Sequence, residues 1–227
     1  MLLMKGWLET RWRLLAVCVY LLICLAINYP NRNVPTAKPP GVLSSLGLIL
    51  VFFVLPLGGS GVKSQAPIGF PEGLAGSTQF TISLPVSRMR LLRVRAAIGL
   101  LEATAVTAII GCMAWSLFPS VRGSMSLADF VRLALTTLLF LTGPYCAQVF
   151  FTTFVDEPLS LVCAGWTYML LLWLLHHAPP AVDVIRAWGQ DSPLITHSLP
   201  WSQMATSAGL AVFFFWAAVR MVQTREY

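Results

Sequence analysis

The chain has 227 residues, 57% of them hydrophobic and 11% charged, with 15 Lys and Arg against 9 Asp and Glu for a formal charge of +6. Soluble domains carry about 25% charged residues, so this chain lacks the polar surface that a globule of its size needs in water. Its basic residues sit beside long apolar runs, which points to membrane topology and not to nucleic acid as a partner.

The opening stretch, 1–13, mixes Trp7, Trp12 and basic residues with leucines. That composition suits a helix lying in the membrane interface, or an extension of the first span. Crossing the hydrocarbon takes about 20 largely apolar residues. By that measure the expected architecture is all-α, a single polytopic bundle of six spans near 14–28, 42–59, 96–117, 127–155, 159–175 and 201–222. The first span has the basic flank of a signal peptide, but no small-residue cleavage site follows it, and it reads as uncleaved. Pro56 is placed to kink the second span. The fourth is long enough to tilt or break, and Thr142–Tyr145, "TGPY", is the expected break because Pro144 has no backbone donor.

The heaviest basic cluster, Lys63, Arg88, Arg90, Arg93 and Arg95, falls between spans two and three. Lys and Arg stay on the cytoplasmic side, so this loop, both termini and the Asp156–Glu157 turn are expected inside, in a plasma (inner) membrane. The loop 176–200 then lies at the outer face, and part of it is a candidate to re-enter the bilayer.

All five cysteines lie within apolar runs and read as small hydrophobes, not as a disulfide framework. "GGSGVKS", 58–64, lacks the glycine before the lysine that phosphate cradling needs, so no nucleotide site is expected. No catalytic constellation is present and no cofactor is expected on this chain. His176, His177 and His197 cluster near the outer face. They read as polar caps on helix ends, with a metal- or haem-handling membrane protein as the alternative. Two charges fall inside spans: Glu102, expected to face the bundle interior, a subunit interface or a polar cavity, and Arg132, expected to snorkel outward. Their difference in depth, roughly 10 Å or more at 1.5 Å per residue, argues against a direct bridge between them.

The run "VSRMRLLRVR" is not a clean amphipathic wheel, since Arg88 and Arg95 share one face and Arg90 and Arg93 the opposite one. It reads as a positive collar around a helix entering the membrane, favoured by anionic lipid headgroups, with Pro85 in the first helical turn. Upstream, "FPEGLAGSTQFTISL" is too polar to span; it suits a short helix opened by Pro71, with Glu72 complementing its dipole.

The stretch from Glu72 to Arg95 resembles the cytoplasmic segment of type-2 ABC transporter permeases. Gly76, Ser77 and Thr78 stand at that family's small-residue step, and Leu84, Pro85, Val86, Ser87 and Arg88 match its Leu-Pro-x-Ser-Arg element. Gln79 and Phe80 stand where members often carry an acidic residue. The resemblance implies that 60–95 is a coupling segment, with Glu72, Gly76, Thr78, Leu84, Pro85, Ser87 and Arg88 docking on a separate ABC ATPase subunit. It further implies an exporter whose translocation path forms with a second permease copy or a related permease, among membrane lipids.

Overall fold

The structure is a computed structural model, and it describes residues 15, 18–23, 26, 27, 29, 87–155, 159–188 and 190–224. Within these residues the chain is helical and contains no strand. The element order is α1 (Arg88–Leu117), α2 (Pro119–Ser124), α3 (Leu127–Phe151), α4 (Leu159–His176), a 3-10 turn (Val184–Trp188), α5 (Pro193–Thr196) and α6 (Trp201–Thr224). Four of these, α1 from Leu92, α3, α4 and α6, are long and apolar enough to cross a membrane. They correspond to the third to sixth expected spans. Of the first span only residues 15, 18–23 and 26–27 are described, as helix, and the second lies outside the described residues.

α1 and α3 begin and end for local reasons. Ser87 caps α1, its hydroxyl accepting from the Arg90 N–H at 3.3 Å. The helix therefore starts after Pro85 and not with it, and the arginine stretch forms its first two turns. Pro85 itself lies outside the described residues. At the other end Phe118 is forced to an extended conformation (φ −112°, ψ 95°) by the proline that follows. Ser126 opens α3, and Thr152 and Thr153 close it by donating their hydroxyls to Val149 O and Phe150 O.

α3 is the hub, packing against α1, α4, α5 and α6. α6 buries Gln203, Ser207, Ala211, Phe214, Ala218 and Val222, one stripe at steps of three and four residues. Small residues on such a stripe let two helices approach closely where no hydrophobic force drives them together. α4 buries only Ser160, Ala164 and Tyr168. The outward faces carry large apolar side chains, among them Trp166 (75% exposed), Leu101 (69%) and Val212 (68%). That surface is costly in water and ordinary in lipid.

The expected break at "TGPY" does not occur, and α3 runs unbroken through Pro144. Pro144 deprives the Phe140 carbonyl of its helical donor. Close by, Thr142 Oγ1 and Ser207 Oγ both donate to Leu139 O, at 2.6 and 3.3 Å. Packing against neighbouring helices lets a proline sit inside a membrane helix. Gly143 leaves room for the Tyr168 ring beside the same turn.

Candidate functional site

The chain direction and the contacts define two ends of the bundle. At one end lie the start of α1, the end of α3, the start of α4 and the end of α6; Ala96 of α1 and Val219 of α6 face one groove there. The other end holds the start of α3, the end of α4, the start of α6 and the segment 177–200.

The first end is basic. Arg88, Arg90, Arg93 and Arg95 fall in the opening turns of α1, and Arg220 lies near the end of α6, 5.5 Å over the Trp216 ring. Of the seven coupling residues, Ser87 caps α1 and Arg88 is its first residue, while Glu72, Gly76, Thr78, Leu84 and Pro85 lie outside the described residues.

Polar groups also thread the bundle between the two ends. Glu102 is 6% exposed, on the inward face of α1. The Tyr145 hydroxyl donates to Ala96 O at 2.8 Å and so ties α3 to α1. Gln148 Nε2 donates to Ser160 Oγ at 3.2 Å, joining α3 to α4. The Tyr168 hydroxyl of α4 faces Ser207 of α6. A polar group paired across helices registers them in a medium that offers no competing water.

The other end is a folded cap. Ser207 of α6 meets Leu139 of α3. These are residues 7 and 13 of their helices, so α3 projects about 9 Å beyond the start of α6 at 1.5 Å per residue. The segment 177–200 packs on this end: His197 meets Asp129 on the projection, while 184–188 reach Phe140, one residue past Leu139. Val184 and Ala187 pack on Phe140, and the Trp188 ring stacks on it with 6.2 Å between centroids.

Three carboxylates fasten this segment. Asp129 Oδ2 accepts from Ser126 Oγ at 2.7 Å and from His197 Nδ1 at 2.9 Å, and Oδ1 accepts from Arg132 at 2.6 Å. Asp183 accepts from His176 Nδ1 at 2.9 Å and from the Ile185 N–H at 3.0 Å. Asp191 accepts from Gln203 Nε2 at 3.0 Å and lies 3.4 Å from Arg186 Nε, a charge contact without hydrogen-bond geometry. Arg132 thus reaches outward to Asp129, while Glu102 is buried along α1.

The three histidines act as fasteners. His177 Nδ1 donates to Trp173 O at 2.8 Å, and His197 ends α5 with a left-handed backbone, φ 52°. Among the described residues no group of three His, Cys, Asp or Glu is placed to hold a metal ion. The four described cysteines are free thiols. With every Asp129 and Asp183 oxygen engaged, the carboxylates of this cluster hold its shape.

Asp129 was the missed signal: Ser126-x-x-Asp129 before an apolar run is a capping-box spacing. The Tyr145–Ala96 pair carries no such mark, since it joins residues 49 positions apart.

These features define a membrane-protein architecture with a basic end and a capped end. Comparison with family models, with curated proteins and with solved structures finds no match.

Proposed function

We propose that this chain is the membrane-spanning permease subunit of an ATP-driven ABC transporter working as an exporter, with the basic end facing the cytoplasm of a multi-pass inner-membrane protein. It binds no nucleotide itself. A separate ATPase subunit acts on the segment 60–95, and a second permease, identical or related, completes the path.

The observation that carries this reading is the continuity of α1. Ser87 and Arg88, the last two residues of the Leu-Pro-Val-Ser-Arg element, cap and open a helix of 30 residues, about 45 Å long. That helix runs without interruption into the apolar bundle, where Tyr145 ties it to α3. A push delivered just before Ser87 is therefore delivered to a stiff rod packed against the hub helix. An ordinary solvated loop needs no such continuity.

Two measurements test it. The chain should co-purify with an ATPase subunit from its native membrane. Charge reversal, Glu72→Lys or Arg88→Glu, should leave the bundle folded while ATP hydrolysis in the complex no longer responds to transported substrate. Unchanged coupling in both variants, or no ATPase partner at all, rejects the proposal.

A further inference from the structure

Near the basic end residues of α1, α3 and α6 line an open groove of about 560 Å³. Small-molecule sites occupy roughly 300–1,000 Å³. Ala97, Leu100, Val212, Phe215 and Trp216 supply its apolar walls. The two hydroxyls that line it are already committed, Tyr145 to Ala96 O and Thr142 to Leu139 O. The interior therefore asks for an aliphatic ligand and offers nothing to a polar one.

The end of the groove is different. Arg93 lines it on the α1 side, and Arg220 lies over the Trp216 ring on the α6 side. Both are exposed, and no carboxylate among the described residues pairs with either. Two guanidinium groups beside an apolar slot match a molecule with an aliphatic tail and an anionic phosphate head. A neutral lipid would fill the slot and leave both arginines without a counter-charge. A helix from a second copy would cover the apolar wall and bring no anion to the mouth unless it carried one at that level.

We propose that this groove holds one acyl chain of an anionic phospholipid from the leaflet at the basic end, with the phosphate on Arg93 and Arg220. The site does not depend on the transport reading.

The test uses the full-length protein in nanodiscs with phosphatidylglycerol or phosphatidylcholine carrying a photoactivatable acyl chain. Adducts should map to residues 97–100 and 211–216, with phosphatidylglycerol preferred. Arg93→Gln and Arg220→Gln should each reduce that preference about five-fold. Val212→Trp, at an exposed position that can take a large side chain, should remove the adducts of both lipids. Equal labelling by the two lipids, or labelling untouched by Val212→Trp, overturns the proposal. So does a change of oligomeric state in Val212→Trp with phosphatidylglycerol labelling unaltered elsewhere, which would make the groove a contact between copies.

Discussion

Gly143 and Asp129 show how single residues set this bundle. A Cβ added at Gly143 would lie 2.5 Å from the Tyr168 hydroxyl and 3.0 Å from its ring. Tyr168 is 3% exposed and cannot swing away, so Gly143→Ala should destabilise by about 1–3 kcal/mol, the usual range for overpacking. In the double variant Gly143→Ala/Tyr168→Phe the closest clash is gone. Its loss, measured by thermal unfolding in detergent, should be smaller than the sum of the two single losses. Additive losses would mean that the helices shift to admit the methyl group. At the cap, Ser126→Ala removes a hydroxyl that both accepts from the Asp129 N–H and donates to its carboxylate, and it should cost about 1 kcal/mol. Asp129→Asn should lower the melting temperature further than Ser126→Ala. It weakens contacts to α2–α3, to Arg132 and to His197 at once.

At the scale of elements, the segment 177–200 is a clamp assembled from weak pieces: a 3-10 turn, four residues of α5 and three histidine contacts. Its apolar anchor is Trp188 on Phe140. Trp188→Ala should therefore cost on the order of 1–2 kcal/mol and raise hydrogen exchange across 184–196, while α3 and α6 stay protected. Exchange spreading through α6 would show that cap and bundle open together. The four long helices were legible because each is an apolar run of sufficient length, a property of consecutive residues. Boundaries were legible where chemistry was local, as at Phe118–Pro119. The expectation at Pro144 failed for a physical reason: a proline's effect on a helix depends on what packs around it, and Ser207 and Tyr168, which lie beside this turn, come from distant parts of the chain. The cap was invisible for the same reason, since His197 meets Asp129 across 68 positions.

The molecule as a whole has two ends that differ in charge. Among the described residues the basic end carries Arg88, Arg90, Arg93, Arg95 and Arg220, and the nearest carboxylate on α1, Glu102, is buried about two turns further in. The capped end carries Arg122, Arg132 and Arg186 against Asp129, Asp183 and Asp191, three of each. Two of those three arginines are already drawn onto aspartates. Each basic residue near an anionic leaflet contributes about 1 kcal/mol, and basic residues resist translocation, so the basic end should face the cytoplasm. The cap, fastened by internal ion pairs, should face outward. Cysteine labelling in intact cells reads this directly, in a background where the native thiols have been replaced. Ser198→Cys, on the exposed side of the cap, should react with a membrane-impermeant maleimide from outside. Thr224→Cys, at the exposed end of α6, should react only after permeabilisation. The opposite pattern would put the arginine turns of α1 outside the cell, beyond reach of any ATP-hydrolysing partner, and the permease proposal would fall with the orientation. The acyl-chain groove would survive that result, because a leaflet of anionic lipid on either face would satisfy Arg93 and Arg220.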